Sequence, residues 1–276
     1  MHLYQAVVLA LLQGLTEQFP VSSLAHAVIV PHLLQWAINQ RAVGFLPFVV
    51  AMHIGTATAA MAYFWRDWWS MACSVLGRGE AGMVARSRRM LTQIVIATVP
   101  AVIIALLFEK IIRGFFASPV LAAAFLVING FVLFGGERRR RRGGHRTLDD
   151  LTWKDSLLIG LAQSTALVPG MSRSGATMVA GLLGGLRHED AARFSFLIAA
   201  PIILGAGVHE LPKLAHHGMG GMADMAAVAG LVAGVTAFAS LWVLMRYFRG
   251  NDIKALDPFA WYCWAAGALS LAFLLI

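Results

Sequence analysis

Pro169-Gly170-Met171-Ser172-Arg173-Ser174-Gly175-Ala176-Thr177 lies inside a long apolar run, yet it holds an arginine, three hydroxyls, two glycines and a proline. An arginine at that depth in a hydrophobic region is expensive, and such residues face a polar cavity or a partner. A second polar interruption stands near the other end of the chain: Gln13-Gly14-Leu15-Thr16-Glu17-Gln18-Phe19-Pro20-Val21-Ser22-Ser23-Leu24-Ala25-His26. The rest of the sequence reads as scaffolding that brings these two stretches together.

Composition sets the solvent. Hydrophobic residues make up 59% of the 276, charged residues 13%, and the mean hydropathy is +0.71. Soluble domains carry about twice that share of charge. Several apolar runs reach the roughly 20 helical residues that cross a bilayer. The alternating pattern of a β-barrel is absent. The expectation is an all-α polytopic membrane protein. The net charge of +8 invites a nucleic-acid reading. The basic residues, however, sit in loops between apolar runs, and the block Arg138 to Arg142 is more simply a cytoplasmic topology anchor. Cys73 and Cys263 show neither metal-ligand spacing nor a disulfide framework. The N-terminus has no basic n-region and does not read as a cleaved signal peptide.

In order along the chain, residues 2–14 and 21–35 read as short helices on either side of Pro20. About 12 helical residues reach only the midplane, so 2–35 reads as a re-entrant helix-turn-helix hairpin. Residues 42–65 are a full span, followed by a loop over 66–90. Residues 91–108 span back, with Pro100 as a kink. Residues 118–135 span again after a link that holds Lys110 and Arg113. Residues 152–166 and 173–185 form a second short pair around Pro169-Gly170. Residues 190–210, 223–247 and 258–276 are three more spans. The layout is six spanning helices plus two re-entrant hairpins. It divides one integral membrane domain into repeat 1 (about 1–135), a cytoplasmic basic loop (about 136–150) and repeat 2 (about 151–276).

Charge tests this layout. Seventeen of the 22 Lys and Arg fall on one side, against Arg41, Lys110, Arg113 and Lys213 on the other, with Arg173 left in the membrane. That bias makes the rich side cytoplasmic and puts both termini outside the cytoplasm. Gln13…Pro20-Val-Ser-Ser is similar to Gln163…Pro169-Gly-Met-Ser-Arg-Ser, and Phe48-Val-Val-Ala to Phe196-Leu-Ile-Ala. The hairpins enter from opposite faces, which makes an inverted-topology repeat with a site near the midplane.

The two tips suit phosphate. A helix start exposes unpaired N–H groups and a partial positive charge, and binds anions. Pro20 and Pro169 suit the approach to such a start, and Gly170 lets the backbone come close to a ligand. Ser22, Ser23 and His26 share one helix face, as do Arg173 and Thr177. Arginine's planar fork grips phosphate oxygens at two points. Glu17 would repel phosphates without a cation between them. With Gln13 one turn earlier, it points to a hard divalent ion, Mg²⁺ or Ca²⁺. Plainer readings exist. Hydroxyls in membrane helices often serve packing. His53 and His209 read as structural, and Asp149, Asp150 and Asp155 as solvated loop charges.

The motifs carry a resemblance. Gln13-Gly-Leu-Thr-Glu17, Pro20-Val-Ser-Ser-x-x-His26 and Pro169-Gly-Met-Ser-Arg-Ser-Gly-Ala-Thr177 resemble the paired signatures of the bacterial undecaprenyl-diphosphatases linked to bacitracin resistance. His53-Ile-Gly-Thr56 and Ala192-Arg-Phe-Ser-Phe-Leu-Ile-Ala-Ala-Pro201 are also similar to family segments. The resemblance implies a divalent-cation-dependent phosphatase in the bacterial inner membrane. It would remove the terminal phosphate of undecaprenyl diphosphate on the periplasmic side and recycle the lipid carrier for cell-wall synthesis. It matches Gln13 and Glu17 to the acidic motif, Ser23 and His26 to the reactive pair, and Ser172, Arg173, Ser174 and Thr177 to the phosphate-binding motif. The chain departs from the pattern at Gln18 and at Leu24-Ala25, which stands where the family has a small residue and Gly. The expected catalytic set is Glu17, Ser23, His26 and Arg173. Ser22, Ser172, Ser174, Thr177 and Gly170 are the expected substrate contacts, and Glu17 and Gln13 the cation ligands. Ser23 is the expected nucleophile, with His26 or Glu17 taking its proton. The rival has His26 activate water or attack directly. The expected partners are undecaprenyl diphosphate and membrane lipid, without nucleic acid; a homodimer is compatible with the sequence, which does not fix oligomeric state. The alternative class is a polyprenyl-phosphate transporter or flippase that uses the same midplane anion site.

Overall fold

Apolar runs become helices here because a backbone in lipid must satisfy its own hydrogen bonds. The computed structural model describes all residues except 41, 43, 109–113, 115–117, 141–144 and 217–219, together with the side chains of 213–216, 220 and 221. Arg41, Lys110, Arg113, Arg141, Arg142 and the Lys213 side chain therefore lie outside the described residues. Eleven α-helices form among the described residues: α1 Leu3–Gln18, α2 Ser23–Leu33, α3 Phe45–Tyr63, α4 Trp65–Val75, α5 Ala81–Leu107, α6 Pro119–Arg139, α7 Trp153–Ser164, α8 Arg173–Leu183, α9 His188–His216, α10 Gly220–Gly250 and α11 Asp257–Leu275. Six of them, α3, α5, α6, α9, α10 and α11, are long and apolar enough to cross a bilayer. Their outer surface stays apolar, with Leu106, Leu107, Phe131, Val208 and Phe273 exposed. This is a multi-pass membrane protein.

Two boundaries differ from expectation. The helix expected over 2–14 runs on to Gln18, since nothing breaks it before Pro20. Gln13 and Glu17 therefore stay one turn apart on a continuous helix, and Gln13 Nε2 donates to Glu17 Oε2 at 3.2 Å. The loop expected over 66–90 contains α4 and the first turns of α5. Its charges hide an amphipathic helix: Met71 is buried, Trp65 and Trp69 are exposed, and Asp67 pairs with Arg193 on α9. Exposed tryptophans beside charges suit the membrane surface.

Packing is exchanged between the halves. Helix α1 lies on α10 of the second half, and α7 lies on α5 of the first. Glycine permits both contacts. A Cβ on Gly14 would stand 2.6 Å from the Ala233 carbonyl, and one on Gly160 would stand 2.3 Å from the Ala97 carbonyl. In lipid, where helices gain little from hydrophobic burial against each other, such close approach carries the association.

At the base of α7, Asp155 is no free loop charge. Arg146 Nη2 lies 2.6 Å from its Oδ2, and Thr152 caps the helix start in a reciprocal pair with it. Partial burial raises the Asp155 carboxyl, but the Arg146 bond and the two Thr152 donors outweigh that and bring it to about 2. In the basic block, Arg138 pairs with Asp257 and Arg140 with Asp252, bracing α6 against the turn before α11.

Candidate active site

Both hairpins break their helices with proline and restart them with serine. Ser22 caps α2, its side chain accepting from Ala25 N at 3.4 Å, and Ser172 caps α8, accepting from Gly175 N at 3.1 Å. Ser22 sits at φ 62°, a strained position for a non-glycine residue. Asn129, fully buried on α6, ties the tips together. Its Nδ2 donates to Pro20 O at 2.9 Å, and its Oδ1 accepts from Ser172 N at 3.0 Å. Ser174 Oγ adds a 3.3 Å bond to Phe19 O. The structure thus brings the two polar stretches into direct contact.

Glu17 is the hub. Ser23 Oγ donates to its Oε2 at 2.6 Å, and Arg173 Nη2 lies 2.7 Å from its Oε1. The other guanidinium nitrogen donates to Ser195 O at 3.0 Å, which aims the side chain. His53 Nε2 lies 3.4 Å from Glu17 Oε2. A cavity of about 220 Å³ opens over these groups. Thr16, Glu17, Ser22, Ser23, His53, Ser172, Arg173 and Ser174 line its polar side, and Leu46, Val49, Val50, Ile202, Ile203 and Ala206 its apolar side.

Four of the anticipated site residues, His26, Thr177, Gly170 and Gln13, are absent from the cavity lining. His26 is not on the cavity wall. Its Nδ1 is 2.7 Å from Ser22 O and its Nε2 is 2.7 Å from Tyr262 OH, with the two rings stacked. A carbonyl only accepts, so Nδ1 carries the proton and Nε2 accepts from the tyrosine. Both nitrogens are committed, and the group on Ser23 is Glu17. Thr177 Oγ1 bonds Ser195 Oγ at 2.7 Å, which fixes α8 to α9. Gly170, at φ 105°, is absent from the lining; its missing Cβ makes room for the α6 backbone, 2.4 Å from Ala122 O.

The cation reading meets a fitting but sparse donor set. Among the described residues no three His, Cys, Asp or Glu side chains converge. Glu17 offers a carboxylate, and Gln13 Oε1 is buried without a hydrogen-bond partner. Mg²⁺ commonly keeps several waters and takes one or two protein oxygens plus substrate phosphates, so such a pair suits it.

Reasoning from sequence missed His53, Asn129, Ser195 and Tyr262. In the sequence His53 lacks polar neighbours; in the fold its neighbour Glu17 arrives from α1. Asn129 had a signal: a lone amide in an apolar span must find partners.

The family model described as bacitracin resistance protein BacA matches residues 6–269. An undecaprenyl-diphosphatase of Acidiphilium cryptum is 56% identical over 270 residues, 96% of each chain. One from Granulibacter bethesdensis is 48% identical across 99% of this chain and 97% of its own. An undecaprenyl-diphosphatase 2 of Chromobacterium violaceum is 44% identical over the whole of both. By that family match, and by relatives this similar from end to end, the chain belongs to the bacitracin resistance protein BacA family.

Proposed function

We propose that this protein hydrolyses undecaprenyl diphosphate to undecaprenyl phosphate and inorganic phosphate, and so recycles the lipid carrier of cell-wall synthesis and confers bacitracin resistance. One observation carries the chemistry: Ser23 Oγ is 2.6 Å from a carboxylate oxygen of Glu17, whose other oxygen holds Arg173 at 2.7 Å. A nucleophile, its base and a cationic clamp stand on one cavity wall, and relatives named for this reaction share the chain throughout. The relatives lend the transporter or flippase reading no support.

The residues divide the work as follows. Arg173 and the first-turn N–H groups of α2 and α8 hold the diphosphate oxygens and stabilise charge at the terminal phosphorus. Glu17 Oε2 takes the Ser23 proton as Oγ bonds to that phosphorus. The bond from phosphorus to the bridging oxygen breaks, its electron pair leaves with undecaprenyl phosphate, and the leaving phosphate takes the proton from Glu17. Glu17 then takes a proton from water, which attacks the phosphoserine; Oγ leaves, regains a proton and frees inorganic phosphate. His26 keeps the strained Ser22–Ser23 turn in shape through Ser22 O. A divalent cation, Mg²⁺ or Ca²⁺, held by Glu17 and Gln13, would supply charge neutralisation on the phosphate oxygens. The apolar side of the cavity, Leu46 to Val50 with Ile202 to Ala206, receives the first isoprene units.

In the same proposal the two hairpins are re-entrant from opposite faces of the bacterial inner membrane, the site opens to the periplasm and both termini are non-cytoplasmic. The basic-residue asymmetry and the exchanged packing of α1 and α7 support that layout. The test is phosphate release from undecaprenyl diphosphate by purified protein. Release with Mg²⁺ or Ca²⁺ that stops on adding EDTA is expected; no release under any divalent ion would overturn the proposal.

A further inference from the structure

We propose that Gln163 orients the water that frees the phosphate, accepting one of its two hydrogens while Glu17 takes the other. The inference rests on the phosphatase reading above and adds a residue of the second repeat that the expected catalytic and binding sets lack.

Gln163 stands in the last turn of α7 and lines the same cavity as Glu17, Ser23 and Arg173. It is 2% exposed, and its Oε1 has no hydrogen-bond partner among the described residues. Its Nε2 donates to Ala97 O on α5 at 3.5 Å. That contact fixes which way the amide faces, because half a turn would set Oε1 against another acceptor. A buried acceptor without a donor costs free energy, so Oε1 calls for a hydrogen from whatever enters the cavity. The wall hydroxyls Ser23 and Thr16 give theirs to Glu17 and to Leu12 O. Gln163 also holds the place in the second repeat that Gln13 holds in the first. The two are used differently. Gln13 is absent from the lining and turns its Nε2 to Glu17. One turn after Gln163 stands Leu167, where the first repeat has Glu17. The second repeat thus brings the cavity an uncharged acceptor, which does not repel phosphate as a second carboxylate would.

An attacking water has two hydrogens on its oxygen. Glu17 takes one as that oxygen bonds to phosphorus. The other points to Gln163 Oε1 and stays on the product. In the phosphoserine, the bond from phosphorus to Ser23 Oγ breaks, Oγ keeps the electron pair, and the proton held by Glu17 passes to Oγ. Two acceptors fix the orientation of a water that one acceptor leaves free to rotate. An alcohol has a single hydroxyl hydrogen. It satisfies Glu17 or Gln163 but not both, so Gln163 favours water over alcohol as the nucleophile.

The experiment incubates the purified protein with undecaprenyl diphosphate and Mg²⁺ in a fixed fraction of methanol, and measures inorganic phosphate and methyl phosphate by ³¹P NMR. The wild type should give chiefly inorganic phosphate. In Gln163→Leu and Gln163→Met the ratio of methyl phosphate to inorganic phosphate should rise about two- to tenfold, the effect of one hydrogen bond, while total release falls. Methionine stays closer to the shape of glutamine, so Gln163→Met keeps the test intact if Gln163→Leu folds poorly. The wild-type ratio in both variants, at whatever rate, overturns the proposal. It would leave Gln163 as a brace between α7 and α5, since a brace changes the rate for both nucleophiles alike. The ratio reads the attack of water or methanol whether or not phosphate passes through Ser23. Phosphate release with an unchanged ratio therefore removes Gln163 and spares the phosphatase reading; no phosphate release from the wild type overturns both.

Discussion

Replacing Asn129 by leucine should uncouple the two hairpin tips. Leucine keeps the branched shape of asparagine but removes its hydrogen bonds to both tips and the one to Cys263 Sγ. Pro20 O and Ser172 N, now held at 2.9 and 3.0 Å in a fully buried site, would lose the partner they share. Each orphaned buried group costs about 1–3 kcal/mol, so the pair comes to about 2–6 kcal/mol. Because the bonds join Ser22–Ser23 to Ser172–Arg173, part of that cost falls on the alignment of nucleophile and clamp. A share of only about 1.4–2.8 kcal/mol in the barrier lowers the rate roughly ten- to hundredfold. The assay is phosphate release at saturating substrate, beside the thermal midpoint in detergent. Both kcat and the midpoint should fall. Asn129→Leu with kcat within twofold of wild type and an unchanged midpoint would refute the idea that this amide holds the tips together.

Other variants probe separate contacts. Ser23→Ala should lose phosphate release by at least about 10²-fold; near-normal turnover would assign the attack to water. Gly160→Ala puts a Cβ 2.3 Å from the Ala97 carbonyl and should cost about 1–3 kcal/mol by overpacking, read as a lower midpoint; an unchanged midpoint would mean that α7 does not rest on α5 this closely. For Asp155, the folded carboxyl lies at about 2 against an ordinary 3.8, so its bond to Arg146 stabilises fully above the ordinary value and fades as pH falls towards 2. The midpoint gap between wild type and Asp155→Asn should therefore be constant above about pH 5 and close between about pH 4 and 2. A gap that widens on acidification would contradict the pairing.

The sequence exposed groups that are costly in lipid and hid groups whose partners arrive from far along the chain. Glu17, Ser23 and Arg173 stood out because no helix in hydrocarbon carries such residues without reason. The six spans were legible from length and hydropathy. Helix α4 was not, since alternating tryptophan and charge reads as loop until one face is seen to bury Met71. His53 looked solitary because Glu17 is 36 positions away and reaches it only through the packing of α1 beside α3. His26 is the opposite case. Helical spacing put it on a face with Ser23, but Tyr262, near the C-terminal end, draws its Nε2 away.

The most direct measurement is the turnover of Glu17→Gln on undecaprenyl diphosphate with saturating Mg²⁺. The amide keeps the size of the carboxylate but neither accepts the Ser23 proton nor carries charge. A loss of about 10²–10⁴ in kcat is expected for removal of a general base. Glu17→Gln turning over at the wild-type rate would contradict the placement of the chemistry at the meeting of the two tips.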